Sequence, residues 1–190
     1  MRKFSFRKQF REAVDYIKES SGYIYFVIFI FFGFSLIGLF FWENFTFLDE
    51  FLKQILLQTE GLNWIEMIFF ILQNNVQSAF FGILFGFIFG VFPLLNAMGN
   101  GIVLGYVASQ VIQISGIGVM WRILPHGIFE LPAIFIALGL GVKFGMFIFA
   151  KDGVKELKRR FYESMNAFLM IILPLLILAA IIEGILIVLF

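Results

Sequence analysis

The chain of 190 residues contains one histidine, His126, within the string LPHGIFELP at residues 124–132. A carboxylate, Glu130, follows four residues later and is itself followed by a long apolar run. A charged side chain at the centre of a membrane helix costs about 2.5–3.5 kcal/mol on insertion scales, so such side chains are rarely idle. The imidazole and carboxylate together therefore mark a candidate site.

His126 and Glu130 share one face of a helix, because residues four apart are neighbours there. Two interpretations stay open. In the first, the pair is a structural lock that caps a helix near its positive end and bonds to a neighbouring span. In the second, the pair is a proton or cation site. Zinc is disfavoured, since one histidine without cysteine supplies too few strong ligands.

The residue types also argue against catalysis. An intramembrane metalloprotease needs an H-E-x-x-H pair, and this chain has a single histidine. Serine chemistry needs a serine beside an activating base, and Ser109 and Ser115 stand in no recognisable motif. We therefore expect a protein that is not an enzyme and that has no metal and no cofactor.

The elements that must position His126 and Glu130 are membrane helices. Hydrophobic residues make up 61% of the chain, against about 45–50% in soluble domains. A spanning helix needs about 20 mainly apolar residues. The sequence thus predicts an all-α polytopic membrane protein with one integral membrane domain over residues 1–190. The five predicted spans are Tyr23–Phe41, Val76–Leu95, Gly101–Ile114, Gly127–Ala150 and Asn166–Phe190.

Charge determines the expected orientation. Basic residues cluster before the first span and between the fourth and fifth spans, whereas the loop after the first span is acidic. Five spans place both basic clusters on one side, which the positive-inside rule identifies as cytoplasmic. We expect a multi-pass protein of the cell membrane with a cytoplasmic N-terminus and an extracytoplasmic C-terminus. No nucleic-acid partner is predicted.

Three segments outside the spans are amphipathic and are expected to lie at the membrane surface. They are residues 1–20 and 151–163 on the cytoplasmic side and the loop 42–75 outside. Within that loop, Trp64–Leu72 is too short to span and is interpreted as a separate re-entrant or interfacial helix. Simple packing beside the membrane and docking of a partner protein are both open interpretations.

Small residues recur every four positions and predict close helix packing. They stand at Ser78, Gly82, Gly86 and Gly90, at Gly101 and Gly105, and at Ala137, Gly141 and Gly145. The packing is either within one subunit or between two, so a homo-oligomer stays open. Pro125 suits the first turn of a helix, which predicts that the fourth helix starts at His126. Alternatively, Met120–Ile123 extends that span backward.

The predicted topology brings polar groups from four stretches to one depth beneath the outer surface. The expected intramembrane cluster, either structural or a ligand or proton site, consists of Asn74, Asn75, Gln110, Gln113, His126, Glu130 and Glu183. The inner halves of the spans carry little polarity apart from Lys143 and a predicted turn around Asn96 and Asn100. Transporters normally need access from both sides, so this asymmetry argues against a through-pathway.

Three stretches resemble one known family in order and spacing. They are QNNVQSAFFGILFGFIFG at 73–90, NGIVLGY at 100–106 and LPHGIFELPAIFIALGLGVKFG at 124–145. The chain resembles the stage II sporulation protein M family, and the P-H-G-x-x-E element is the most specific match. The family positions that this resemblance implies are Asn74, Asn75, Asn100, Gly101, Pro125, His126, Gly127 and Glu130.

The resemblance implies that this is a membrane scaffold, since the namesake bacterial member recruits peptidoglycan-degrading enzymes to the septum during engulfment. Many relatives occur in bacteria and archaea that do not sporulate. We therefore expect a non-enzymatic scaffold or assembly factor in the lipid bilayer. Its partners would be other membrane or cell-surface proteins, docked on the outer loop or the basic helices. The alternative is a small ion-coupled transporter or permease that uses His126 and Glu130.

Overall fold

The computed structural model describes the backbone of residues 5–189 and the side chains of residues 5–118 and 130–185. Within these residues the chain consists of helices joined by turns and contains no strand. The predicted all-α class is therefore confirmed. The α-helices are α1 (Phe6–Glu19), α2 (Ser21–Phe40), α3 (Leu48–Thr59), α4 (Trp64–Leu84), α5 (Val91–Ser115), α6 (Met120–Gly145), α7 (Gly153–Ala167) and α8 (Leu173–Leu189).

Five helical segments of the described chain are long and apolar enough to cross a membrane, as the hydropathy pattern predicts. The fifth segment joins α7 to α8 through a π-helical turn at Phe168–Ile172. Local π-helical adjustments allow a membrane helix to tolerate proline, and Pro174 lies two residues after this turn. The five segments are Ser21–Phe40, Trp64–Phe87, Val91–Ser115, Glu130–Phe149 and Gly153–Ile185.

The second span begins much earlier than the sequence predicts. Trp64–Leu72 is not a separate interfacial helix but the first part of α4. A capping box starts this helix: Asn63 Oδ1 accepts from the Glu66 backbone N–H at 3.1 Å, and Glu66 Oε2 accepts from the Asn63 N–H at 2.9 Å. The predicted boundary was wrong because amides at 73–75 interrupt the hydropathy of the segment without interrupting its helix.

The turn between the second and third spans also lies elsewhere. The chain reverses at residues 85–90, where Phe89 and Gly90 have φ angles of 54° and 68°. The turn predicted around Asn96 and Asn100 is wrong, since both residues lie inside α5. Their side-chain amides have partners in the bundle: Asn100 Nδ2 donates to the Asn96 carbonyl oxygen, one turn away, at 2.9 Å, and Asn96 Nδ2 donates to Ser78 Oγ of α4 at 3.4 Å. Local satisfaction of this kind lets an amide occupy a membrane helix.

The fourth helix begins at Met120 and not at His126, which agrees with the backward extension left open above. Pro125 therefore lies within the helix rather than in its first turn. Membrane helices tolerate such prolines where the freed carbonyl finds another partner. The mainly apolar residues before Pro125 extend the helix backward. The preference of proline for the first turn of a helix did not predict this extension.

Glycines bring the helix backbones close together, as the four-residue spacing predicts, and the contacts among the described residues lie within one subunit. An added Cβ at Gly86 would overlap the Gly141 carbonyl group, and one at Gly145 would overlap the Gly90 backbone. On the other side of the bundle, Gly105 lies against the backbone of Ser35 in α2. The small-residue faces are therefore used inside the chain, and homo-oligomerisation stays a prediction.

Candidate functional site

Three helices bring polar side chains together near the middle of the bundle. Glu130 of α6 lies beside Glu183 of α8 and Asn75 of α4, close enough for its carboxyl group to interact with both side chains. Asn75 is buried, with 7% of its surface exposed. It lies about 16 Å along α4 from Trp64 at ~1.5 Å per residue, which places it deeper than the outer end of a span. These three residues form the carboxyl cluster.

Glycine at position 184 allows α8 to approach α4 at this level. A Cβ at Gly184 would clash with the side chain of Ile68, whose backbone also lies close. Glu183, the preceding residue, is carried to the α4–α6 contact by this approach. The helix spacing at the carboxyl cluster is thus determined by a residue that itself has no functional group.

The chemistry of the carboxyl cluster follows from the types of its polar groups. An ionised carboxylate can only accept, so a bond between two carboxyl groups requires a proton on one of them. The side-chain amide of Asn75 can donate to Glu130 whether the carboxyl group of Glu130 is ionised or neutral. The cluster can therefore hold a proton, and it can equally lock α4, α6 and α8 together. Both interpretations made from His126 and Glu130 apply to it.

Three of the predicted site residues lie outside the side chains that the structure describes. They are Pro125, His126 and Gly127. The pairing of His126 with Glu130, inferred from their spacing, therefore stays a prediction.

The remaining predicted residues do not join the carboxyl cluster but lie at other places. Gln73 and Asn74 line a groove between α3 and α4. Gln110 hydrogen-bonds to Tyr106, and Gln113 Nε2 donates to Ser109 Oγ at 3.1 Å. The single cluster expected from topology is thus divided into three regions, because neighbouring residues on one helix face different partners.

Tyr106 connects the outer loop to the bundle. Its hydroxyl donates to Asp49 Oδ1 of α3 at 2.6 Å, and Gln110 lies beside it on α5.

Of the described family positions on α5, Asn100 bonds to Asn96 and Gly101 packs against the Phe31 backbone of α2. At these two family positions, the structure therefore shows a local hydrogen bond for Asn100 and a helix-packing contact for Gly101.

A second polar centre lies at the opposite end of the bundle, and sequence reasoning did not identify it. Lys143 of α6 is buried at 4% exposure. Its Nζ lies 3.0 Å from Glu19 Oε1 and donates to Ser20 Oγ at 3.0 Å. The same ammonium lies 4.0 Å from the centroid of the Tyr16 ring. The lone lysine in an apolar span was the sequence signal from which this centre could have been found.

Two arginines of α7 complete the Lys143 centre. Arg159 bonds to both Glu19 and Glu156, and Arg160 Nη1 donates to the Lys143 carbonyl oxygen at 2.6 Å. Burial alone would raise the pKa of Glu19, but hydrogen bonds from Lys143 and Arg159 outweigh it and lower that pKa. Glu19 is therefore held as a carboxylate that ties α1 and α7 to the end of α6.

Within residues 5–118 and 130–185, no group of three His, Cys, Asp or Glu side chains lies close enough to hold an ion. Glu130 and Glu183 come together as a pair, and the second centre combines acids with bases.

The model of the family "Stage II sporulation protein M" matches residues 24–186, which includes every membrane-spanning segment in whole or in large part. The chain belongs to the stage II sporulation protein M family. The resemblance inferred from the three sequence stretches is therefore confirmed.

An uncharacterized protein from Methanocaldococcus jannaschii is 30% identical over 156 residues, covering 80% of this chain and 68% of the relative. No solved structure matches. Membership supports a multi-pass membrane protein of the sporulation type, in a family that is not known for enzymes.

Proposed function

We propose that this stage II sporulation protein M relative is a membrane scaffold that binds other membrane or cell-surface proteins through α3. The observation that carries the proposal is the placement of α3. Of its twelve residues only Leu48 is buried, and Asp49 connects it to Tyr106 of the bundle. An element held beside the membrane with little packing of its own is suited to receive a partner.

The surface of α3 supports this role. Leu56 and Leu57 are 68% and 62% exposed, and acids outnumber bases in the loop around them. Exposed apolar groups rimmed by polar ones are typical of interaction sites. The bundle beneath is closely packed at its glycine contacts, and Ile83, Leu138 and Leu140 are fully buried. A filled interior under an open outer element favours assembly over conduction.

The carboxyl cluster favours a second candidate, an ion-coupled transporter. Ionisable side chains inside membrane helices commonly form proton relays or ion sites. The carboxyl groups of Glu130 and Glu183 lie together between two spans, so a change in their protonation would alter the contact between α6 and α8. Transport would require a polar route to this cluster from both sides of the membrane.

A paired experiment separates these candidates. Crosslinking pulldown from native membranes measures assembly, while proton or solute flux in proteoliposomes measures transport. In the scaffold proposal, Leu56→Gln combined with Leu57→Gln removes the crosslinked assembly and Val154→Gln does not. Val154 is a matched control because it is also exposed, at 67%, but lies on α7. Glu130→Gln and His126→Ala are then compared in both assays.

The outcomes are distinct. Flux that is absent or unchanged in Glu130→Gln, together with assembly lost in the α3 variant, supports the scaffold. Flux that depends on Glu130 or His126, with assembly intact in the α3 variant, contradicts the scaffold and supports the transporter.

A further inference from the structure

The groove between α3 and α4 is lined by uncharged polar side chains. It has a volume of about 370 Å³. Five carboxamides line it, from Gln54 and Gln58 on α3 and from Gln73, Asn74 and Gln77 on α4. Three apolar side chains, Phe51, Ile55 and Phe70, complete the lining. A lining of amides and rings suits a neutral ligand with its own donors and acceptors.

These carboxamides are available for a ligand. All five side chains are exposed, and none of them has a hydrogen-bond partner among the side chains and backbone that the structure describes. Gln73, Asn74 and Gln77 lie on the spanning helix α4, where an amide facing hydrocarbon would be costly. The groove is therefore expected to contain water or a polar ligand rather than lipid chains.

The spacing of the amides matches one kind of ligand. Gln54 and Gln58 are four residues apart on α3, and Gln73 and Gln77 are four apart on α4. Four residues advance a helix by about 6 Å. Two residues of an extended chain advance by about 6.7 Å. Each row of carboxamides can therefore follow the backbone amides of an extended peptide at every second residue.

We propose that this groove binds an extended peptide segment of a partner protein, mainly through the backbone of that segment. The carboxamides of α3 and α4 bond to its two edges, as in recognition by strand addition. Phe51, Ile55 and Phe70 contact alternate side chains of the segment. This inference rests on the proposed scaffold function, because it names the part of the partner that the outer element would hold.

The experiment uses the full chain in nanodiscs and a phage library that displays random twelve-residue peptides. Selected peptides are synthesised, and their affinities are measured for the wild type and for Gln58→Met combined with Gln73→Met. Methionine is close to glutamine in size and lacks the amide, so affinity should fall roughly tenfold or more. Lys53→Met, on α3 but outside the groove lining, should bind as the wild type does.

Methylation of the peptide tests backbone recognition directly. N-methylation of alternate amides in a selected peptide should abolish binding, whereas alanine at its polar positions should be tolerated. Peptides that bind equally well to the double variant, peptides whose binding survives N-methylation, or a selection that yields no groove-dependent peptide would each overturn the proposal. Groove-dependent binding of chitotetraose without peptide binding would overturn it in favour of a carbohydrate site.

Failure of the groove and failure of the scaffold give different results. The side chains of Leu56 and Leu57 do not line the groove, so the α3 variant that tests assembly should keep its peptide affinity. If the wild type binds groove-dependent peptides but native assembly is unaffected by the Leu56 and Leu57 variant and by the Gln58 and Gln73 variant, the scaffold alone is contradicted. Assembly that is lost in the Leu56 and Leu57 variant without any groove-dependent peptide contradicts the groove alone.

Discussion

At the scale of single residues, the buried lysine at position 143 depends most clearly on the partners around it. A buried ammonium is costly unless it is paired and hydrogen-bonded. Lys143 meets Glu19, Ser20 and the face of Tyr16 at one point. All three partners come from the chain before the first span or its start, so the lysine anchors α1 to the bundle.

Removing the carboxylate from this centre should destabilise the protein. Glu19→Ala leaves the ammonium of Lys143 without its charged partner, and loss of a charge-assisted bond of this kind costs about 1–3 kcal/mol. The free energy of unfolding, measured by denaturant titration of the purified protein, should fall accordingly. Glu60→Ala, at an exposed position of the outer loop, is the control and should change it little.

A double substitution checks the cause. Glu19→Leu combined with Lys143→Met removes both charges and should recover much of the stability lost in Glu19→Ala, because no unpaired charge stays buried. A double variant less stable than Glu19→Ala would contradict this account of the centre.

The same carboxylate predicts a dependence on pH. Folding lowers the pKa of Glu19 below its ordinary value of 4.5, since hydrogen bonds from Lys143 and Arg159 exceed the effect of burial. The stabilisation is complete above about pH 4.5 and is lost as the pH falls through the lowered folded-state pKa. Spin labels at Arg11→Cys and Lys158→Cys report the distance between α1 and α7.

We expect the measured distance distribution to be narrow at pH 7 and to broaden under acid. The chain contains no native cysteine, so both labels are specific. In Glu19→Gln, which has no carboxyl group at that position, this acid transition should be absent. A transition of equal size in Glu19→Gln would assign the pH dependence to other groups.

At the scale of helices, glycine decides how closely the elements pack. Gly105 of α5 lies against the backbone of Ser35 and Leu39 in α2. Overpacking a tight contact typically costs about 1–3 kcal/mol. Gly105→Ala should therefore lower the free energy of unfolding by about 1–3 kcal/mol or more. The reason is that rigid backbone, and not a flexible side chain, occupies the space of the added methyl group.

Gly33→Ala is the matched control for this prediction. Gly33 lies inside α2 with nothing within 4 Å of an added Cβ, and alanine in a helix interior is more stable than glycine by about 0.5–1 kcal/mol. We expect Gly33→Ala to leave stability unchanged or raise it. Equal destabilisation by both variants would show that helix propensity, and not the α2–α5 contact, governs the effect.

At the scale of the whole molecule, the two amphipathic helices α1 and α7 lie together at one end of the five-span bundle. The α1 and α7 helices contact each other, since Asn166 Nδ2 donates to the Gln9 carbonyl oxygen at 2.9 Å and Arg159 bonds to Glu19. Both basic segments therefore lie at one end of the bundle. The positive-inside rule assigns that end to the cytoplasm.

This orientation is testable by labelling intact cells with a membrane-impermeant maleimide. Cysteine introduced by Glu60→Cys in the outer loop should react, whereas cysteine introduced by Lys155→Cys on α7 should react only after the membrane is permeabilised. Both native residues are exposed, so accessibility across the membrane is the variable. The reverse pattern would place the groove and α3 in the cytoplasm and exclude partners outside the cell.

The sequence by itself determined the fold class, the number of spans, the family and the use of small residues at helix contacts. These properties follow from composition, segment length and spacing, which are local and periodic. The sequence predicted one cluster of seven polar residues, of which only Glu130, Asn75 and Glu183 lie together among the described side chains. Hydropathy could not place the turn at residues 85–90, because apolar residues continue through it and the reversal is made by the backbone, with positive φ angles at Phe89 and Gly90.

Only the tertiary structure decided which polar groups meet. Neighbours at 73–75 face different sides of α4, so Asn75 joins the carboxyl cluster while Gln73 and Asn74 line the groove. Lys143 and Glu19 are far apart in sequence, and their contact depends on how α1 returns to the bundle. Sequence spacing determines which residues share a helix face; the packing of other helices against that face determines what those residues can bind.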